Sequence, residues 1–224
     1  MKLVYDPNRV RNARMRGRGR KYKKIFPKIS NNVKRYVKTV VKNTGERKYI
    51  DYSVNGALPA THNYMLLNGL QQGTTPSQRV GRKVQMKSVE LSGYVTESSS
   101  NQGWFYMALI YDIDADGSAF TYQDVYTTAP TSGDIRNLNN SDRFKVIKRW
   151  RVYLNANTND RSKNEPIDFY KKIDLPVEFN GGSAGTVADI QAGSLYLYYT
   201  SDDRANTSLI LQTRVRYTDM RPIS

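Results

Sequence analysis

Residues 209–217 read LILQTRVRY, and apolar and polar side chains alternate along most of this stretch. One phase is mainly apolar and consists of Leu209, Leu211, Thr213, Val215 and Tyr217. Successive side chains of a β-strand point to opposite faces, so a period of two predicts a strand with one buried face. The fold of this chain should therefore depend on strands that pair with this one.

The same period recurs at 144–154 and 167–175, and five weaker strand candidates complete the set. The weaker candidates are 47–54, 62–68, 84–96, 104–113 and 194–201. Within 84–96 the apolar phase switches near Ser88, which predicts a β-bulge or a bend. No helical period of comparable strength occurs in 46–224, so the sequence predicts an all-β body of eight strands.

Long polar connections, rich in turn residues, separate the predicted strands. They comprise 69–82, 114–142, 155–166 and 179–193. These lengths exceed those of hairpin loops, and an up-and-down barrel would also need shorter loops. Eight strands joined by long crossovers therefore predict an eight-stranded antiparallel jelly roll, in which two sheets are connected as Greek keys.

A strongly basic arm precedes the body. Residues 1–45 contain 15 Lys and Arg residues and one acid, so they carry +14 of the net charge of +15, and 46–224 is almost neutral. Residues 1–28 have too few apolar side chains to form a core, and we expect this part to be largely disordered until it meets phosphates. The pattern predicts a nucleic-acid-binding arm at 1–45 and a folded body at 46–224.

The cations of the arm are the expected nucleic-acid contacts, because Lys and Arg replace condensed counterions along phosphates without reading the base sequence. These residues are Arg9, Arg11, Arg14, Arg16, Arg18, Arg20, Lys21, Lys23, Lys24, Lys28, Lys34, Arg35, Lys38 and Lys42. Contacts of this kind read phosphate rather than sugar, so the charge pattern leaves DNA and RNA open.

A short helix is predicted at 30–43 within the arm. Its apolar side chains fall at helical spacing and are Val33, Tyr36, Val37, Val40 and Val41. Ser30 or Asn31 could cap its start. A helix this short and rich in valine is marginal alone, so it should form against a partner such as the same helix of another subunit. A strand or an irregular segment is the alternative.

Composition excludes several kinds of chemistry. The chain has no Cys, which excludes disulfides and thiol catalysis, and His62 as the single histidine excludes a multi-histidine metal site. We expect His62 to be structural and the chain not to be an enzyme, since no catalytic motif is present. No apolar run is long enough for a membrane span, and residues 1–20 lack the apolar core of a secretory signal.

Asp112, Asp114 and Asp116 precede Gly117 in a pattern that imitates the first half of a calcium loop. The complete pattern needs an acid where Gln123 stands, and it needs a preceding helix rather than the strand predicted here. We therefore interpret this segment as a solvated acidic turn and expect no metal there.

Five stretches, in this order and after a basic arm, carry a family resemblance. They are RVGRKVQMKSVELSGYV at 79–95, RFKVIKRWRVYLN at 143–155, KIDLPVEFNG at 172–181, LYLYYTSD at 195–202 and RVRYTD at 214–219. Together they resemble the small single-jelly-roll capsid proteins of circular Rep-encoding single-stranded DNA viruses and, more distantly, that of satellite tobacco necrosis virus.

The resemblance implies a homo-oligomeric icosahedral T=1 shell of about 60 subunits, with the arm inside on a single-stranded genome. It favours DNA over RNA as cargo and the virion as location. Runs of Arg and Lys also act as nuclear-import addresses, so the arm is compatible with a stay in the host nucleus during assembly. Some relatives bind Ca²⁺ between subunits, and Asp219 and Glu46 match acidic positions used there. Val80 and Lys83 stand nearby and are poor calcium ligands, so no cofactor is expected, and Lys83 could supply the positive charge instead.

Two other classes of function remain open at this stage. One is a cellular nucleic-acid-binding or condensing protein with a β-sandwich domain, and the other is an enzyme such as a nuclease or a glycan-acting jelly roll. Particle size separates a shell from the first, because a monomer has a mass of 25.7 kDa. The sequence indicates neither the host nor its receptor.

Overall fold

The computed structural model describes residues 30–34, 47–59, 62–97, 102–129, 133–155, 164–203 and 206–220. The chain divides into two units, Met1–Thr44 and Gly45–Ser224. In the first unit, residues 31–34 form a helical turn, α1. The side-chain oxygen of Ser30 accepts a hydrogen bond from the backbone N–H of Val33 at 3.3 Å, which agrees with the predicted helix start. The remainder of the predicted helix, 35–43, lies outside the described residues.

Within the described part of the second unit, nine strands account for most of the residues. They are β1 (Lys48–Ala57), β2 (Asn63–Leu66), β3 (Lys83–Glu97), β4 (Gln102–Asp112), β5 (Phe144–Asn155), β6 (Asn164–Phe179), β7 (Ile190–Ala192), β8 (Ser194–Ser201) and β9 (Thr207–Asp219). The helical segments described in this unit are short, namely α2 (Tyr122–Val125) and the 3₁₀ turns Leu138–Asn140 and Val187–Asp189. None of the described helical segments has the length and apolar character needed to cross a membrane.

The strands form two antiparallel sheets. The five-stranded sheet has the order β1-β9-β3-β6-β7, and the four-stranded sheet has the order β2-β8-β4-β5. Strands consecutive in sequence thus alternate between sheets for much of the chain, which is the crossover pattern of a jelly roll. The all-β, eight-stranded antiparallel prediction is confirmed, with β7 as an additional edge strand. Its three residues are too few to produce a period in the sequence.

The predicted irregularity near Ser88 is a β-bulge. The register of β3 shifts between Met86 and Ser88 against both of its neighbours, β6 and β9. The extra residue returns the apolar side chains to the same face, so Met86 and Val89 are both buried. The change of apolar phase in the sequence therefore marks a change in pairing, and the buried face itself is continuous.

The main core lies between the two sheets. Every second side chain of β9 enters it, and β3 and β6 contribute in the same way. The buried apolar residues of β9 are Leu209, Leu211, Val215 and Tyr217. Burial of one face of each strand supplies the main driving force for folding, because apolar area leaves water there.

A second apolar cluster covers the outer face of the four-stranded sheet. It joins Tyr106 and Tyr198 of the sheet to Phe120, Val125 and Tyr126 of the connection between β4 and β5. The hydroxyl of Tyr106 donates a hydrogen bond to that of Tyr126 at 2.8 Å, which satisfies a buried polar pair. Strands β4 and β8 are consequently buried on both faces, which explains why their sequences are apolar almost throughout.

The outer face of the five-stranded sheet, by contrast, is exposed. Tyr49, Tyr94 and Tyr170 stand on it with between 43% and 56% of their surface accessible. The two sheets therefore differ. The connection between β4 and β5 packs on the outer face of the four-stranded sheet, whereas the outer face of the five-stranded sheet is accessible to solvent.

Candidate nucleic-acid interface

The cations predicted to contact nucleic acid belong to the arm, and Lys34 is the one that the structure describes. It is exposed at the end of α1. The others, from Arg9 to Lys28 and from Arg35 to Lys42, lie outside the described residues. The arm is joined to the body at the start of β1, which begins at Lys48. The surface around β1 is therefore the part of the body nearest to the arm in sequence.

Lys48 is the first residue of β1 and is almost completely buried, with 1% of its surface exposed. Its ammonium group donates to the backbone carbonyl of Gln78 at 3.0 Å and lies 3.0 Å from the carboxylate of Asp219. A charge this deeply buried requires such partners, because an unpaired ammonium would lose its hydration without compensation. Lys48 thus fastens β1 to the end of β9 and to the connection between β2 and β3.

The positive charge beside Asp219 therefore comes from Lys48, whereas the sequence had suggested Lys83. The antiparallel register places Lys83 directly opposite Glu178, and the two form an exposed ion pair at 3.1 Å. Asp219 also accepts the backbone N–H of Val80 at 3.1 Å. With an ammonium and an amide already on its two oxygens, Asp219 does not fit a calcium site, and Glu46 lies outside the described residues.

The acidic segment after β4 contains an ion pair where the sequence imitates a calcium loop. Asp112 is fully buried and receives two hydrogen bonds from Arg143, whose guanidinium also lies 3.3 Å from Asp116. Hydrogen bonds from Ser118 lower the pKa of Asp116. The expected solvated turn is correct for Asp114 and Asp116, which are exposed, but wrong for Asp112.

These acids do not fit calcium either, since Arg143 occupies the position between them that a cation would take. Across the described ranges, no group of three or more His, Asp or Glu residues is arranged to hold a metal ion.

Arg79 organises the connection between β2 and β3, and its side chain is completely buried. It donates to the backbone carbonyls of Leu70, Gly81 and Gly182. Its guanidinium lies 4.1 Å from the centre of the Phe179 ring, so the cation is stabilised by stacking as well. Sequence reasoning missed this role because a lone arginine in a polar loop gives no signal of burial.

A cleft of about 670 Å³ opens between β1 and the loops beside it. Tyr49, Asp51 and Tyr52 of β1 form one wall, and Gln71 and Gln78 of the connection between β2 and β3 contribute to the other. The hydroxyl of Tyr52 donates to the carbonyl of Gly69 at 3.2 Å, and burial raises the pKa of Tyr52 to about 12. Its hydroxyl therefore stays protonated and keeps this hydrogen bond at any physiological pH.

Ion pairs cross the exposed sheet face next to the cleft. Arg214 donates two hydrogen bonds of 2.7 Å to Asp51, and these lower the pKa of Asp51 and raise that of Arg214. Arg216 pairs with Glu90 at 2.8 Å. The guanidinium of Arg214 also lies 4.8 Å from the ring centre of Tyr49, so cation and aromatic ring stand together at the mouth of the cleft.

His62 packs in the second apolar cluster, as its predicted structural role requires. Its Nδ1 lies 2.7 Å from the hydroxyl of Tyr198, and its ring centre lies 4.3 Å from that of Tyr122. These contacts fasten the segment before β2 to the outer face of the four-stranded sheet.

Solved virus structures show a limited similarity to this chain. Desmodium yellow mottle tymovirus has 11% identity and a TM-score of 0.32, with 81% of this chain and 93% of that chain covered. The tobacco streak virus coat protein dimer has 14% identity, a TM-score of 0.32, and coverages of 80% and 90%. Maize chlorotic mottle virus has 10% identity, a TM-score of 0.32, and coverages of 80% and 99%.

No curated protein sequence matches the chain. One protein family does, and its match extends over residues 2–221, so that it includes both the basic arm and the body. The coat-protein resemblance recognised from five stretches of sequence is thereby confirmed. The chain belongs to the geminivirus coat protein/nuclear export factor BR1 family.

Proposed function

We propose that this coat protein assembles into an icosahedral T=1 shell of about 60 copies and packages single-stranded DNA through its arm. Residues 1–45 are the nucleic-acid-binding arm, and 46–224 form the jelly-roll domain that builds the shell. The host nucleus is the place of assembly. The family match across residues 2–221 carries this proposal, because it covers the arm and the body together.

The distribution of charge supports a division of labour between the two parts. The arm carries +14 and the rest of the chain +1, so electrostatic attraction to a polyanion is concentrated in one segment. In a shell of about 60 copies the arms would supply about 840 positive charges, enough to neutralise on the order of 10³ nucleotides. That scale suits a genome of one to a few kilobases. The resemblance to capsid proteins of circular Rep-encoding viruses favours DNA.

The exposed face of the five-stranded sheet supports assembly. Aromatic residues and arginines are enriched where protein surfaces meet, and this face exposes both Tyr94 and Arg216. A protein that works as a monomer would gain little from keeping such side chains exposed. Size-exclusion chromatography and negative-stain microscopy test this part: we expect megadalton particles, and monomers alone at high concentration and moderate salt would contradict it.

The test of the arm is deletion of residues 1–28, which removes eleven cations and Asp6 and leaves a net charge of +4 in 29–45. We expect affinity for single-stranded DNA to fall strongly and the dependence of log K on log salt to flatten, since fewer counterions are released. A salt titration of the full and truncated chains measures both. Equal affinity and equal slope would place the nucleic-acid site on the body. Nuclease digestion of the purified particles' cargo distinguishes DNA from RNA.

A further inference from the structure

The cleft beside β1 begins four residues after the arm ends. Its first lining residue is Tyr49, and β1 is the edge strand of its sheet, so one side of the cleft is open. A strand of nucleic acid bound by the last cation of the arm, Lys42, would therefore be tethered within seven residues of Tyr49. Tethering of this kind raises the effective concentration of a ligand at a second site without any new contact.

The walls of the cleft are held in place by contacts within the body. The backbone N–H of Tyr49 donates to the carbonyl of Pro76 at 3.2 Å, and the hydroxyl of Tyr52 holds the carbonyl of Gly69. Gly69 packs so closely on Gly185 that a Cβ at Gly69 would lie 2.3 Å from the Gly185 carbonyl oxygen. A cavity fixed in this way loses little entropy when it is filled.

The chemistry of the lining suits a planar heterocycle. Tyr49 offers an aromatic ring with 44% of its surface exposed, and Gln71 offers an amide that both donates and accepts hydrogen bonds. Within the described residues, the Gln71 side chain has no hydrogen-bond partner. The charge of Asp51, the one acid in the lining, is paired with Arg214, so it opposes an approaching phosphate little.

We propose that this cleft binds one unstacked nucleobase of the packaged strand, with Tyr49 as the stacking surface and Gln71 as the partner of the base edge. Arg214, at the ring of Tyr49, lies next to the phosphate of the same nucleotide. The inference rests on the proposed packaging function and adds to it a second mode of binding, through the base. The volume of about 670 Å³ lies within the range of sites that hold small ligands and is ample for one base.

The experiment uses the full chain and a short oligo(dT) strand that carries one 2-aminopurine, whose fluorescence is quenched by stacking. Tyr49→Ala is compared with Tyr49→Phe, which keeps the ring, and with Gln71→Ala. The matched control is Tyr170→Ala, since Tyr170 is a comparably exposed tyrosine on the same sheet that does not line the cleft. Circular dichroism and melting temperature establish that each variant is folded.

We expect Tyr49→Ala to weaken binding about five-fold or more and to remove the quenching, because one stacked base is lost. The slope of log K against log salt should stay unchanged, because no cation is removed. Tyr49→Phe and Tyr170→Ala should bind like the parent, and Gln71→Ala should bind more weakly.

Equal binding and equal quenching by Tyr49→Ala and Tyr170→Ala would overturn the nucleobase site and leave the arm's function intact. So would a Tyr49→Ala variant that binds DNA normally but fails to form particles, since the cleft would then be a contact between subunits. So would relief of the quenching by a competing neutral oligosaccharide, which would make the cleft a glycan site. Absence of DNA binding by the parent chain would overturn the proposed function as well.

Discussion

Arg143 donates two hydrogen bonds to the carboxylate of Asp112, from Nε at 2.9 Å and from Nη2 at 3.0 Å. Asp112 ends β4 and Arg143 immediately precedes β5, so this pair closes the long connection that covers the four-stranded sheet. The backbone N–H of Ile113 donates to the carbonyl of Arg143 at 2.9 Å and strengthens the closure. A bidentate pair with a fully buried carboxylate fixes the position of the end of β4 relative to the start of β5.

Replacing Asp112 by Ala should therefore lower the free energy of unfolding by about 3 kcal/mol, because Arg143 loses its buried partner and the pocket of the carboxylate is left unfilled. Chemical denaturation of the purified chain measures this change. Asp114→Ala is the matched control: Asp114 is two residues away and exposed, and its loss should change stability by less than about 0.5 kcal/mol. Equal effects of the two substitutions would show that the pair does not stabilise the fold.

At acid pH, the stability of the fold should depend on whether Asp51 keeps its ion pair with Arg214. The hydrogen bonds from Arg214 hold the pKa of Asp51 below its ordinary value of 3.8. A carboxyl whose pKa is lower in the folded state stabilises the fold above its unfolded pKa, and this contribution is lost as pH falls through the folded pKa. Below about pH 4, the Tm of the parent should therefore fall more steeply than that of Asp51→Asn. Melting curves between about pH 2 and pH 6 test this, and Arg214→Gln should flatten the curve similarly.

Binding by the arm should depend on the number of its charges and little on their chemical type. Changing Arg9, Arg11, Arg14, Arg16, Arg18 and Arg20 to Lys should preserve the dependence of DNA affinity on salt, since each charge still displaces counterions. The same six changes to Gln should reduce the slope of log K against log salt by roughly 4, at about 0.7 per neutralised phosphate of a single strand. Fluorescence anisotropy across a salt series measures both variants. A large loss of slope in the lysine variant would show that the arginines make specific contacts.

The predicted helix at 30–43 should matter for assembly if it packs against other subunits. Changing Val37 and Val40 to Asp would place charges on its apolar face, and we expect the yield of particles to fall because that face could no longer be buried. Lys38→Asp, which lies off this face, controls for the change in charge. Particle yields from sucrose gradients make the comparison. Equal yields from the Val37/Val40 variant and the parent would eliminate packing of the helix and leave the coat-protein function unaffected.

Most strands could be predicted because each of them buries a single face. Leu209 and Leu211 are spaced with the period of a strand. This period can be recognised in the sequence without knowing which strands lie beside it. The bulge near Ser88 was predictable for the same reason, since it interrupts that period. Strands β4 and β8 gave a weaker signal, because the connection that packs on their outer face removes the alternation.

The buried charges could not be predicted, because no local pattern distinguishes them. Arg79 and Lys48 are charged residues in polar or alternating sequence, and the sequence alone treats both as exposed. Burial of each becomes favourable only when partners distant in the chain converge, such as Gly182 on Arg79 and Asp219 on Lys48. The choice of Lys83 as the cation beside Asp219 failed because pairing register, which places Lys83 opposite Glu178, is a property of the sheet.

The sequence by itself determined the all-β class, the separation of a +14 arm from a nearly neutral body, and the positions of the bulge and most strands. These properties depend on charge and on periodicity, which are local and additive along the chain. Only the tertiary structure decided that residues 120–126 cover one sheet while the other stays exposed. It alone brought Tyr49, Gln71 and Gly185 together around one cleft, because these residues meet through strand pairing and loop packing across more than a hundred positions of sequence.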